Sequence, residues 1–310
     1  MTAVSQGKAK VRFGDLIFSR AATFAGVGIL VTLAAVVAFL FIEALPALSP
    51  NADFSGKAES PLSYVVPFVF GTIYASVIAL LIATPLAIGI ALFISHYADR
   101  RLSSILGYIM DLLAAIPSVV YGLWGILVLA PFLNPTFVWL NENLGWVPLF
   151  AGQVSATGRT MLTVGIVLAL MVLPIMSALI REVFLQTPRL HEEAALALGA
   201  TRWEMIKMAV LPFGRTGIIS ATMIGLGRAL GETMAVALVL SPAAIINFAL
   251  LTSQNSNTIA ANIALHFPEA GGDYRSLLIA TGLILFLITM VINMFARYVI
   301  SRRAEFSGAN

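Results

Sequence analysis

The sequence predicts an all-α, polytopic membrane protein with six transmembrane helices, and three observations predict it. Hydrophobic residues make up 59% of the chain and charged residues 11%, with a mean hydropathy of +0.95. A soluble domain carries about a quarter charged residues, so this chain cannot cover a water-facing surface. The apolar residues are gathered into six runs, each long enough to cross about 30 Å of hydrocarbon as a helix. The polar residues lie between the runs rather than alternating within them. A net charge of +3, spread along the connections, is no nucleic-acid signal. The chain has no cysteine, which excludes disulfides and thiolate metal sites and says nothing about compartment.

Residues 1–20 are polar and carry Lys8, Lys10, Arg12 and Arg20. The first run, 21–42, occupies the place of a signal peptide. The apolar region of a signal peptide is only about 7–15 residues long, so a retained span is expected. Residues 43–63 form a polar connection with Pro46, Pro50, Asp53 and Glu59. The second run, 67–94, has Pro85 inside it. Gly71, Ala75, Ala79 and Ala83 recur there at every fourth position, a stripe that lets another backbone approach closely. His96 to Ser104 is a short connection with Arg100 and Arg101.

The third run, 105–130, contains Ile116-Pro117-Ser118. Pro117 removes a backbone hydrogen bond and frees a carbonyl, which predicts a kink. Ser118 and Tyr121 then have hydroxyls to offer a substrate, or the kink serves packing alone. Asp111 lies early in this run and has no assigned role. In the connection 131–159, Phe132, Phe137, Trp139 and Trp146 predict segments lying at the membrane interface. The fourth, fifth and sixth runs cover 160–180, 216–240 and 277–300, with a long connection at 241–276. The organisation expected is a polar segment 1–20, a first helix and outer loop 21–65, a five-helix core 66–300 and a tail 301–310.

Basic residues orient these runs. They fall before the first run, in 96–104, between Arg181 and Arg215, and at Arg297, Arg302 and Arg303. The remaining connections hold one each: Lys57, Arg159 and Arg275. The positive-inside rule places both termini and the 181–215 connection in the cytoplasm of a bacterial inner membrane.

That connection is a polar island with Glu192, Glu193, Arg202, Glu204 and Lys207. Pro188 suits a first helical turn, with Thr187 as N-cap. Gly199 suits a left-handed helix end. Thr201 then opens a second helix, and Glu204 completes a capping box. A connection that only joins two helices needs about two to eight residues. This one is longer and internally capped, which predicts a docking surface. Its residues Glu193-Ala194-Ala195, Gly199 and Leu211-Pro212 resemble, in register, the EAA loop of ABC importer permeases, with Ala209 where that family has Ile. The resemblance implies that the loop seats in a groove of a separate ATPase subunit.

Arg228 falls inside the fifth run. A charge at the bilayer centre costs about 2.5–3.5 kcal/mol on insertion scales. On one continuous helix Glu232 lies a turn later on the same face and holds Arg228 in place. Such a pair either orients the helix or lines a pathway, where a guanidinium suits a tetrahedral oxyanion. Gly225, Gly227 and Gly231 surround it and also suit close packing.

The stretch Gly227-Arg228-Ala229-Leu230-Gly231-Glu232-Thr233-Met234-Ala235, with Ile116-Pro117-Ser118-Val119-Val120-Tyr121-Gly122, resembles the permeases of the phosphate-specific ABC importer, PstC type rather than PstA type. The resemblance runs from about residue 67 onward and implies a MetI-like fold in which the first span wraps a partner. It also implies a phosphate role for Arg228 and Glu232, with Ser118, Tyr121 and Thr233 beside them. The implied partners are a homologous PstA-type permease, a cytoplasmic ATPase dimer that holds ATP and Mg, an extracytoplasmic phosphate-binding protein and membrane lipid. Sulfate or molybdate import satisfies the charge argument equally. A secondary transporter or channel needs no docking loop, and an intramembrane enzyme needs a catalytic constellation that the sequence lacks.

Three weaker signals fail. Gly225 to Gly231 has its last glycine one place late for a dinucleotide fingerprint and lies in an apolar run. His191-Glu192-Glu193-Ala194-Ala195 lacks the second histidine of a zinc protease motif. Gly56-Lys57 is followed by Ala58, so no phosphate-binding loop and no ATP site is expected in this chain. His96, His191 and His266 are scattered, and no metal or cofactor is expected.

Overall fold

The computed structural model describes residues 13–49, 52–54, 56 and 59–304. Lys8, Lys10, Arg12, Pro50, Lys57 and the tail after Ala304 lie outside the described residues. Twelve helices are described: α1 Phe13–Ala44, α2 Pro61–Leu92, α3 Arg100–Ala114, α4 Ser118–Trp124, α5 Ala130–Leu144, α6 Met161–Leu185, α7 Arg189–Ala197, α8 Arg202–Met205, α9 Leu211–Leu230, α10 Met234–Val239, α11 Ile259–His266 and α12 Gly272–Ala304. Three five-residue π-turns interrupt or extend them, at Phe93–Tyr97, Gly125–Leu129 and Ile206–Val210. Six helical stretches are long and apolar enough to cross a membrane, as the six runs predict.

The centre is built by α2, α6 and α9. The small-residue stripe of α2 is buried along its whole length, through Ala75, Ala79, Ala83, Ala87 and Ala91. Gly165 of α6 rests on Ile78 so closely that no side chain fits between them. On α9, an added Cβ would come 2.6 Å from Phe184 at Gly214 and 2.5 Å from Met176 at Gly225. These contacts run in opposite chain directions. They make α9 antiparallel to α6 and set Arg228, three residues beyond Gly225, opposite the middle of α6.

The third and fifth crossings are broken. The third starts at α3, where Gly107 packs on the Arg181 guanidinium near one end of α6. It passes Gly125, where an added Cβ would come 2.7 Å from Val167, and reaches Ala130 against Gly158, just before α6 begins. The crossing therefore runs through 100–130, interrupted at 115–117. The longest unbroken apolar helix in this region is 118–144, but its second half lies alongside the 150–160 connection. Asn134 and Asn141 donate there to Ala156, Phe150 and Gly152. The aromatics of 131–159 correspondingly divide. Phe137 is buried in the core, while Phe132, Trp139 and Trp146 are exposed. The fifth crossing is one helix from Arg202 to Leu230, then a break, then α10. The second helix predicted for the docking turn is thus no separate element: α8 runs through the π-turn into α9.

At the end away from the α7–α8 turn, Arg159 donates to the carbonyls of Leu238, Val239 and Leu240 and closes the C-terminus of α10. Strands β1 Pro242–Ala243 and β2 Asn255–Ser256 pair in parallel. A second, smaller core lies here, where the Tyr64 hydroxyl meets Tyr274 at 3.1 Å and accepts from Asn262 Nδ2 at 3.0 Å. Gly71 of α2 touches the backbone carbonyls of Ser256 and Asn257; an added Cβ would stand 2.8 Å from the first and closer to the second. Neither can retreat without moving β2. Gly71→Ala is therefore expected to destabilise the chain by about 1–3 kcal/mol, read as a lower Tm in detergent. Helix α1 packs along α12 and buries no residue of its apolar window within this chain.

Candidate functional site

The two breaks lie side by side. Helices α4 and α10 both begin at a break and pack against each other, with Gly122 so near Ala235 that an added Cβ would be 2.9 Å from its Cα. At the first break Pro117 lacks the N–H that would bond Leu113, four residues back. The Tyr121 hydroxyl donates to the Leu113 carbonyl at 2.9 Å, and that carbonyl also accepts from the Ile116 N–H at 3.3 Å. The carbonyl that Pro117 leaves without its helical donor is thus satisfied from within the chain. Ser118 is half-buried at the start of α4.

At the second break α9 ends at Leu230 and Gly231 caps it. Arg228 is in the last turn, half-buried. Its Nε is shut off from solvent and has no hydrogen-bond partner. Glu232 is only 8% exposed and does not sit on the same helix as Arg228. Its Oε1 accepts from the Ala235 N–H at 3.0 Å, at the start of α10. Thr233 Oγ1 donates to the Gly231 carbonyl at 3.2 Å. The expected hold of Glu232 on Arg228 is therefore corrected. Among the described residues no ion pair joins them, because the chain turns between them and the carboxylate caps the next helix.

These parts bring Ser118, Tyr121, Arg228, Glu232 and Thr233 to one level of the bundle. In hydrocarbon, broken backbone is tolerated only where protein or a cavity supplies partners. Paired breaks near the midplane are the arrangement of discontinuous-helix transport sites. An unpartnered guanidinium there offers five donors in one plane, suited to an oxyanion. Neither Gly122 nor Arg159 carries a signal in the sequence beyond being a small or a basic residue. Their partners lie far along the chain.

The 186–201 turn is formed as a helix end followed by a helix start. Helix α7 begins after Pro188, which is the N-cap, and no side chain caps it. Thr187 is not that cap; its hydroxyl is buried without a partner. At the other end Gly199 has φ +84°. Its N–H bonds Leu196, and that of Ala200 bonds Ala195, the paired bonds of a Schellman motif. Thr201 and Glu204 form the expected capping box. Ala195 is packed into the core, while Glu193, Ala194 and Gly199 are exposed. Leu198 is 90% exposed and Leu190 76%, an uncovered apolar surface on an otherwise polar turn. Pro212 stands beside Leu211 in the first turn of α9, directly after the π-turn that absorbs its missing N–H.

Residues 83–305 match the family model for the binding-protein-dependent transport system inner membrane component. The chain belongs to this family. Among curated relatives of this transport-system component, the chain is 45% identical over 301 residues to "Phosphate transport system permease protein PstC 2" of Mycobacterium tuberculosis, covering 92% of this chain and 91% of that one. It is 40% identical over 306 residues to "Phosphate transport system permease protein PstC" of Mesorhizobium japonicum, covering 95% and 92%. Its fold is shared with a chain of a bacterial ABC transporter involved in the import of alginate, with TM-score 0.60 at 19% identity, covering 91% of this chain and 96% of that one. The all-α, six-span importer permease fold expected from the sequence is the fold found.

Proposed function

We propose that this chain is the permease subunit of an ATP-driven importer and passes inorganic phosphate from an extracytoplasmic binding protein to the cytoplasm. The observation that carries the proposal is the Arg228 guanidinium, held midway along the bundle at paired helix breaks with its Nε unpartnered. The curated names of the relatives supply the choice of phosphate among oxyanions. Arg228 is the anion contact, Tyr121, Ser118 and Thr233 are hydroxyls at the same level, and Glu232 fixes the start of α10.

In this reading Glu193, Ala194, Ala195, Gly199, Leu211 and Pro212 belong to the seat of a cytoplasmic ATPase dimer, which holds ATP and Mg. The exposed Leu190 and Leu198 favour a protein contact there. Both termini then face the cytoplasm, and α1 is available to a homologous PstA-type permease or to lipid. The test is uptake of radiolabelled phosphate by vesicles carrying the complex, with sulfate and molybdate as competitors. Phosphate alone should compete at low excess. Equal competition by sulfate or molybdate would assign the site to another oxyanion.

A further inference from the structure

We propose that His96 is the positioning residue that fastens the docking turn to the second crossing, through its contact with Glu192. This rests on the reading of that turn as the ATPase seat. His96 lies in the π-turn Phe93–Tyr97 that ends the α2 crossing, and Glu192 lies in the first turn of α7. His96 Nε2 stands 3.5 Å from Glu192 Oε1, with side chains only 9% and 24% exposed.

The ring is held from both sides. His96 Nδ1 lies 2.6 Å from Ser95 Oγ, which also reaches the Ala91 carbonyl at 2.7 Å, and Nε2 is thereby aimed at Glu192. The elements packed against this π-turn carry Arg100, Arg101 and Asp111 on α3 and Arg181 and Glu182 on α6. Among the described residues Glu192 is the charged group within 4 Å of the His96 ring.

Helix α7 also rests on α8 and on Ile206–Val210, which lead into the fifth crossing. The pair gives it a second attachment, to α2, whose alanine stripe lies in the central core. A force on the docking turn then reaches both the helix that carries Arg228 and the helix behind it.

The test uses the whole complex in proteoliposomes with loaded binding protein and reads phosphate taken up per ATP hydrolysed. His96→Gln and Glu192→Gln should each lower this ratio about threefold with the complex still assembled, and the double variant should lose no more than either alone. A ratio unchanged in both single variants, or losses that multiply in the double variant, would overturn the proposal. A native complex that assembles yet takes up no phosphate would instead sink the importer reading.

Discussion

Arg228→Gln is expected to cut phosphate uptake about a hundredfold, the loss of a charge-assisted contact worth about 3 kcal/mol. Membrane abundance should stay within about twofold, because the substitution breaks no internal bond and removes a costly charge. Arg228 Nε has no partner to leave behind. Glu232→Gln should keep most of the structure, since an amide oxygen still accepts from Ala235, whereas Glu232→Ala loses the cap at a cost of about 1 kcal/mol. The double variant Arg228→Gln with Glu232→Gln should remain as inactive as Arg228→Gln. Uptake restored in the double variant would mean that the two charges only neutralise each other.

Gly199→Val is expected to uncouple rather than unfold. At φ +84° a β-branched residue is strained by about 1–3 kcal/mol. Nothing lies within 4 Å of its added Cβ, so the strain stays in the turn. ATP hydrolysis stimulated by loaded binding protein should fall about tenfold, the equivalent of 1.4 kcal/mol, with the complex still assembled. Gly199→Asn should do less harm, because asparagine tolerates the left-handed region. Equal damage from both substitutions would show that strain at this turn is not what couples the subunits.

The six crossings were legible because each is a long, predominantly apolar run, and the 186–201 turn because its caps are local. Gly199, Thr201 and Glu204 act within a few residues of one another. The break between Arg228 and Glu232 was not legible. Gly225, Gly227 and Gly231 are equivalent as letters, and packing decides among them. Gly225 is pinned on Met176, Gly227 meets nothing within 4 Å, and Gly231 becomes the cap. Periodicity assumed one helix and so paired two charges that the fold separates. The His96–Glu192 and Arg159 contacts join residues far apart in the chain, which no local pattern reports. Thr187 had the right chemistry for a cap, but the chain entered the helix one residue later.

The π-turn at Ile206–Val210 works as slack in the helix that carries Arg228. Its wider ring holds one residue more than the α-helix around it. Each residue of an α-helix turns the chain by about 100°, so an extra residue in ordinary winding would swing the 186–201 turn by that angle around the axis of α9. The ring takes up the residue within one turn and keeps the heading. Deleting one residue from the ring should therefore leave the 186–201 turn facing much as it does now, whereas deleting one between Leu211 and Arg228 should rotate it by about 100°.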